Sequence, residues 1–252
     1  MTPPRIISVV LAGGQGQRIR RHLPDLPKPM APVHGRPFIE WIARFLALQG
    51  IHKIIISTGY KAEVIASHFE SLALPEVEVS CVPEAQPQGT AGGFLQAIAD
   101  VPAPDAWLVC NGDSLVLTSF LPLFDALKGD CSGALLGVRV PDASNYGTLD
   151  CDAQGTIQRF AEKRPGHGVV NAGVYLLKSD LVSLFPAQRP LSFETDVFPL
   201  LLSTGTTLRA VPTSAPFLDI GTPETLAKAE QFIAGNLSFF NQPVSIPSSL
   251  LS

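Results

Sequence analysis

An apolar run from Ile6 to Leu11 empties into Ala12-Gly13-Gly14-Gln15-Gly16-Gln17-Arg18, and Lys28 follows ten residues later inside Pro27-Lys28-Pro29. The run reads as a buried strand. A strand ending in a turn with three glycines lets the backbone come close to a ligand and aim several N–H groups at it. Arg18 and Lys28 add fixed positive charge. The combination reads as a receptor for a polyphosphate; the glycines alone are also compatible with a tight turn that holds no ligand.

Two other glycine-loop readings fail on spacing. A dinucleotide fingerprint needs a third glycine three positions after the second, where this chain has Ile19. A P-loop needs Gly-Lys-Ser/Thr, and the chain contains no Gly-Lys pair. Between Gln15 and Arg36 stand Arg18, Arg20, Arg21, Lys28 and Arg36 against a single acid, Asp25. The whole chain carries a formal charge of −4, so this cluster runs against the average and suits an anionic ligand. The acidic balance gives no support for nucleic-acid binding. The longest apolar runs fall far short of the ~20 residues a membrane helix needs, and the N-terminal run ends in glycines rather than a cleavage-type sequence. Cys81, Cys110, Cys131 and Cys151 are widely spaced with no Cys-x-x-Cys pair, which reads as reduced thiols and a cytoplasmic protein.

The first half alternates strand and helix patterns. Phe38 to Leu48 is a helix with Pro37 in its first turn and Gly50 at its end. Lys53 to Ser57 is a strand, Lys61 to Glu70 a helix, Val77 to Val82 a strand, Thr90 to Ala99 a helix. Trp107 to Cys110 is a fourth strand ending in Asn111-Gly112-Asp113. Alternation of this kind implies parallel pairing with helices on both faces, and ligands beyond the C-terminal strand ends. The 13–18 turn and Asn111 to Asp113 should therefore converge. After about residue 133 the pattern changes to strand-like stretches with short turns: Ala134 to Val140, Thr148 to Asp150, Thr156 to Phe160 and Gly173 to Leu177. These read as antiparallel additions. Ser192 to Leu202 and Thr222 to Ile233 look helical, and the stretch after Gly235 has no clear period. No linker forces a split into two domains.

Asp113 follows a buried strand, with Gly112 leaving space beside its carboxylate. Asp219 occupies a comparable place near the chain's end, where a cap or turn role is equally open. Two carboxylates reaching one polyphosphate would suit Mg²⁺, a hard ion that shares its oxygen ligands with phosphates. Spacing alone does not show that the two meet.

Read in order, Leu11 to Arg18, Pro27-Lys28-Pro29-Met30, Gly89-Thr90-Ala91, Asn111-Gly112-Asp113, Tyr146-Gly147, Glu162-Lys163, Asn171-Ala172-Gly173-Val174-Tyr175 and Asp219-Ile220-Gly221-Thr222-Pro223 resemble the sugar-1-phosphate nucleotidylyltransferases. Each string is weak, and eight in sequence are strong. The resemblance covers about residues 5 to 234. Pro27 to Glu40, Ser192-Phe193-Glu194 and Asp219 to Glu224 are most like the D-glycero-D-manno-heptose 1-phosphate guanylyltransferases.

The resemblance implies an α/β fold, a Rossmann-like mixed, mostly parallel sheet with helices on both faces, called the nucleotide-diphospho-sugar transferase fold. It implies one nucleotidyltransferase domain over 1–235, with 236–252 as a tail. The implied activity joins a nucleoside triphosphate, GTP by the finer match, to a sugar 1-phosphate and releases pyrophosphate, with Mg²⁺ as cofactor. Its product would be a nucleotide sugar for cell-surface polysaccharide. Uridylyl, cytidylyl and thymidylyl transfer, and a non-catalytic regulatory relative, stay open.

By the same resemblance, Leu11, Ala12, Gly13, Gly14, Gly16, Gln17, Gln86, Gly89, Thr90 and Asp113 would hold the nucleotide. Arg18 and Lys28 would neutralise the triphosphate, and Lys163 would contact the sugar phosphate or the α-phosphate. Gly112, Gly147, Glu162, Asn171 and Gly173 would line the sugar, and Asp113 and Asp219 would bind the metal. Gln86 and Gln88 are candidates for reading the base, though a solvent-exposed loop explains Gln88 equally well. The family usually has threonine where Gln17 stands, which removes a compact phosphate donor. No essential histidine is expected, because the attacking phosphate needs no protein base. The expected partners are the two substrates, with no nucleic acid and no membrane; Phe239, Phe240, Leu250 and Leu251 would cover an interface if the chain self-associates.

Overall fold

The structure, a computed structural model, describes residues 5–144, 146–161 and 165–241. Its centre is a strand of β-branched residues, β1 (Ile6–Ala12), paired in parallel on both sides. A strand so placed must be apolar on both faces. Ile6, Val10 and Ala12 enter one core layer, and Ile7 and Val9 enter the other.

A 3-10 turn, Lys28–Met30, and a short hairpin of β2 (Pro32–Val33) and β3 (Arg36–Pro37) lead into α1 (Phe38–Leu48). Pro37, with its fixed φ, is the N-cap, and α1 buries Phe38, Ile39, Trp41, Ile42, Phe45 and Leu46. Then come β4 (Lys53–Thr58), α2 (Ala62–Ser71), β5 (Glu78–Pro83), α3 (Thr90–Ile98) and β6 (Ala106–Asn111). β7 (Ser114–Val116) and α4 (Leu121–Ala126) precede the second half: β8 (Gly133–Val140), β9 (Thr148–Cys151), β10 (Ile157–Ala161) and β11 (Gly168–Lys178). A π-turn over Phe193–Val197 runs into α5 (Phe198–Ser203), followed by β12 (Leu208–Thr213), β13 (Phe217–Asp219), α6 (Pro223–Ala227) and α7 (Ala229–Gly235).

The sheet runs β10-β9-β11-β6-β1-β4-β5, with β8 also on β11 and β12 on β8. From β6 to β5 every pairing is parallel. β11 lies antiparallel to β6, β8 and β9, and β12 lies parallel to β8. It is a mixed sheet with a parallel centre, covered on both faces. α1, α2 and α4 cover one face; α3, the π-turn and α5 cover the other. On the second face Phe94, Trp107, Tyr175, Phe193 and Phe198 are fully buried and in ring contact. Truncating such a phenylalanine to alanine costs about 3–5 kcal/mol.

β2, β3, β7, α4, β12 and β13 have no counterpart in the sequence expectation, and three expected elements differ from it. The helix expected over Ser192 to Leu202 opens as a π-turn, because the Ser192 hydroxyl accepts from the Glu194 and Thr195 amides and Pro199 has no N–H for the carbonyl four residues back. The helix expected over Thr222 to Ile233 divides at Lys228. The strand expected over Gly173 to Leu177, β11, begins at Gly168. Beyond Gly235, a 3-10 turn over Leu237–Phe240 sets the Phe240 ring 4.8 Å from that of Trp41. Leu250 and Leu251 lie outside the described residues. All four cysteines are free, and among the described residues no helix is long and apolar enough to cross a membrane.

Candidate active site

The parallel strands end at one edge, where β1, β6 and β5 deliver the 13–18 loop, Gly112-Asp113 and Glu84. A cavity of about 540 Å³ opens there, lined among others by every residue from Leu11 to Arg18 and by Lys28, Glu84, Thr90, Asn111 and Asp113. Its size is that of an ordinary ligand site, roughly 300–1,000 Å³.

The glycines of the loop differ in what they permit. A Cβ on Gly13 would run into the Glu84 carboxylate. Gly16 has φ +57°, and a Cβ there would lie 3.0 Å from that of Lys28. At Gly14 a Cβ meets nothing within 4 Å, so packing within the chain does not require glycine; what it leaves clear is cavity space. Buried Ile19 anchors the loop, while Arg18 and Gln17 stand exposed. The Gln17 amide donates to Gln15 Oε1 at 3.1 Å.

Asp113 and Asp219 meet through a two-stranded ladder. β13 pairs antiparallel with β7, placing Asp219 opposite Ser114, and the Ile220 N–H donates to the Asp113 carbonyl at 2.9 Å. Lys28 Nζ lies 2.6 Å from Asp113 Oδ2. Burial first, and then the Asp113 charge, push the Asp219 carboxyl above its ordinary value. Lys28, the Gly221 N–H and Arg18 pull the other way. With Lys28 and Arg18 both acting on it the Asp219 carboxyl is still held up, so a further cation would favour its charged form. Among the described residues no group of three or more His, Cys, Asp or Glu converges. A divalent ion here would draw its remaining oxygens from phosphate and water, as Mg²⁺ does.

Along with Gln15, Pro29, Pro87 and Gly221, sequence reading missed a charged cavity residue, Glu84. The Ser57 hydroxyl donates to its Oε1 at 2.9 Å and the Gln88 N–H to its Oε2 at 3.0 Å. Gln86 is exposed and off the cavity wall, whereas Gly89 and Thr90, the cap and first residue of α3, are on it.

On the antiparallel side, the Asn171 N–H donates to the Gly147 carbonyl at 2.9 Å. Gly173 has φ +71°, and any Cβ there would collide with the side chain of Asn111, a wall residue. Tyr146 lies near Asp219: its phenol is pushed up by burial and by the Asp219 charge. Gly147, Asn171, Gly173 and Asp219 do not line the cavity; Gly173 and Asp219 touch its wall residues Asn111 and Gly221. Glu162 and Lys163 lie outside the described residues.

A family model described as Nucleotidyl transferase matches residues 7–236. The D-glycero-alpha-D-manno-heptose 1-phosphate guanylyltransferase of Campylobacter jejuni subsp. jejuni is 34% identical over 222 residues, 86% of this chain and 95% of that protein. A mannose-1-phosphate guanylyltransferase of Mycobacterium tuberculosis is 31% identical over 232 residues, 90% of this chain, and the chain spans 64% of that protein's length. Among solved structures, HddC from Yersinia pseudotuberculosis complexed with GMP-PN superposes with a TM-score of 0.77 at 33% identity, covering 90% of this chain and 98% of that one.

Proposed function

The chain belongs to the nucleotidyl transferase family, and from that premise we propose that it transfers GMP from GTP to a sugar 1-phosphate, D-glycero-D-manno-heptose 1-phosphate foremost, releasing pyrophosphate. The observation carrying this reading is the convergence on one cavity edge of the glycine loop, Arg18, Lys28 and the Asp113–Asp219 pair. The guanylyl and heptose choices draw on relatives covering most of this chain.

In this reading Gly13, Gly14 and Gly16 offer backbone N–H groups to the phosphates, and Arg18 and Lys28 neutralise them. Asp113 and Asp219 hold Mg²⁺, which when bound supplies charge neutralisation and orientation of the phosphates. Glu84 reads the base: its carboxylate only accepts, and guanine presents adjacent N1–H and N2–H donors. Lys163, Glu162, Gly147 and Asn171 receive the acceptor. The acceptor's phosphate, with second pKa near ~6, is largely a dianion at neutral pH. One of its oxygens attacks the α-phosphorus, a P–O bond forms, the bond to the β-phosphate breaks, and pyrophosphate departs with the electron pair. No protein base is required. What the protein supplies is positioning and charge. Mannose 1-phosphate is the second acceptor to test, favoured by the mycobacterial relative.

Pyrophosphate release measured for GTP, ATP, UTP, CTP and dTTP against a panel of sugar 1-phosphates tests the proposal. Turnover confined to GTP with heptose or mannose 1-phosphate supports it. Turnover with another base corrects the donor, and GTP binding without turnover on any acceptor points to a regulatory protein.

A further inference from the structure

Behind the cavity wall stands Glu194, the second residue of the π-turn, half-buried and in contact with three hydroxyls. Tyr175 OH donates to its Oε1 at 2.9 Å; Ser192 Oγ and Thr90 Oγ1 donate to its Oε2 at 2.9 and 3.1 Å. A carboxylate only accepts and each hydroxyl has one proton, so the direction of all three bonds is fixed. Tyr175 is fully buried, and burial together with the Glu194 charge holds its phenol well above the ordinary value, so it keeps its proton. Its oxygen can then only accept elsewhere, and it accepts from Asn171 Nδ2 at 2.8 Å. That leaves Asn171 Oδ1 for the Gly173 N–H, 3.0 Å away. Thr90 Oγ1, its proton likewise assigned, accepts from the Phe193 N–H at 2.9 Å.

We propose that Glu194 is a positioning residue that orients the Asn171 amide on the acceptor side while holding Thr90 on the nucleotide side. One charge thereby sets the polarity of both halves. The proposal rests on the reading above for calling the Asn171 side the acceptor side. Glu194 does not line the cavity. It acts through Tyr175 and Thr90.

Glu194→Gln replaces one acceptor with a donor at nearly constant volume. The oxygen facing Ser192 and Thr90 serves two hydroxyls and the one facing Tyr175 serves one, so the new NH₂ group should face Tyr175, where one bond reverses instead of two. Tyr175 then turns its proton to Asn171, whose amide flips, and the Gly173 N–H loses its acceptor. The expected result is a rise of about tenfold in the acceptor KM, the size of one misdirected hydrogen bond, with the GTP KM within about twofold. Tyr175→Phe cuts the same relay and should give a similar rise. The double variant should be no worse than the worse single, since both changes act on one chain.

A readout without substrate separates this proposal from the functional reading. The Asn171 side-chain amide resonances, assigned by their loss in Asn171→Asp, should shift in Glu194→Gln and in Tyr175→Phe. Should Glu194→Gln fail to fold, Tyr175→Phe carries the test alone. Unmoved resonances, additive variants, or equal losses for both substrates overturn the relay. Shifted resonances in a protein that turns over no sugar 1-phosphate leave the relay standing and remove the functional reading.

Discussion

The two halves of the site are built from different materials. On the parallel side the wall is rich in glycine: the 13–18 loop follows β1 directly, and its specificity lies in where glycines leave space for Lys28, Glu84 and a ligand. On the antiparallel side a polar side chain, Asn171, takes its orientation from a second layer, Asn171 from Tyr175 and Tyr175 from Glu194. A glycine-built receptor is set by how closely the backbone approaches its neighbours. A side-chain-built one depends on a relay, here through Tyr175 to Glu194.

The comparison breaks first at the acids. Asp113→Asn should lower the rate by about a thousandfold or more while leaving the fold intact, because it removes metal-binding charge from the nucleotide half. Steady-state pyrophosphate release together with circular dichroism checks it, and near-normal activity would remove Asp113 from the chemistry. Lys28→Ala should lower kcat/KM for GTP by about a hundredfold with the acceptor KM little changed; equal losses for both substrates would blur the division between halves. Glu84→Gln should narrow the preference for GTP over ATP by about tenfold, read from competing kcat/KM values. An unchanged ratio would return base reading to the Gln86–Gln88 loop.

The smallest effect is on stability. Asp219 has a folded-state value raised by burial and by Asp113. Its contribution is therefore favourable when protonated and is lost as pH rises through that raised value. Asp219→Asn removes the neutral-pH penalty and should raise Tm by a few degrees, about 2 °C, at pH 7, with the gain vanishing toward pH 3. Melting curves across that range decide it. A variant less stable at neutral pH would show that Lys28 and Gly221 already compensate the charge.

Much of the parallel half was legible because its signals are long or chemically loud: β-branched strands ending in glycines, and helices of nine or more residues with one apolar face. The meeting of Asp113 with Asp219 was not. It depends on β7 and β13, three residues each, too short to show a period. Glu84 was hidden in a polar stretch beside Gln86 and Gln88, where only packing tells which side chain turns inward. The signal available was its place one residue past β5, at the same sheet edge as the glycine loop. The Ser192-Phe193-Glu194 string was visible, but its wiring to Asn171 needs the contact between the π-turn and β11.

The most direct test is a crystal of the protein with a non-hydrolysable GTP analogue and Mn²⁺ in place of Mg²⁺. The account predicts an anomalous peak between the Asp113 and Asp219 carboxylates, phosphates against the 13–18 amides, and guanine against Glu84. Phosphates bound elsewhere, or a metal touching neither aspartate, would contradict it.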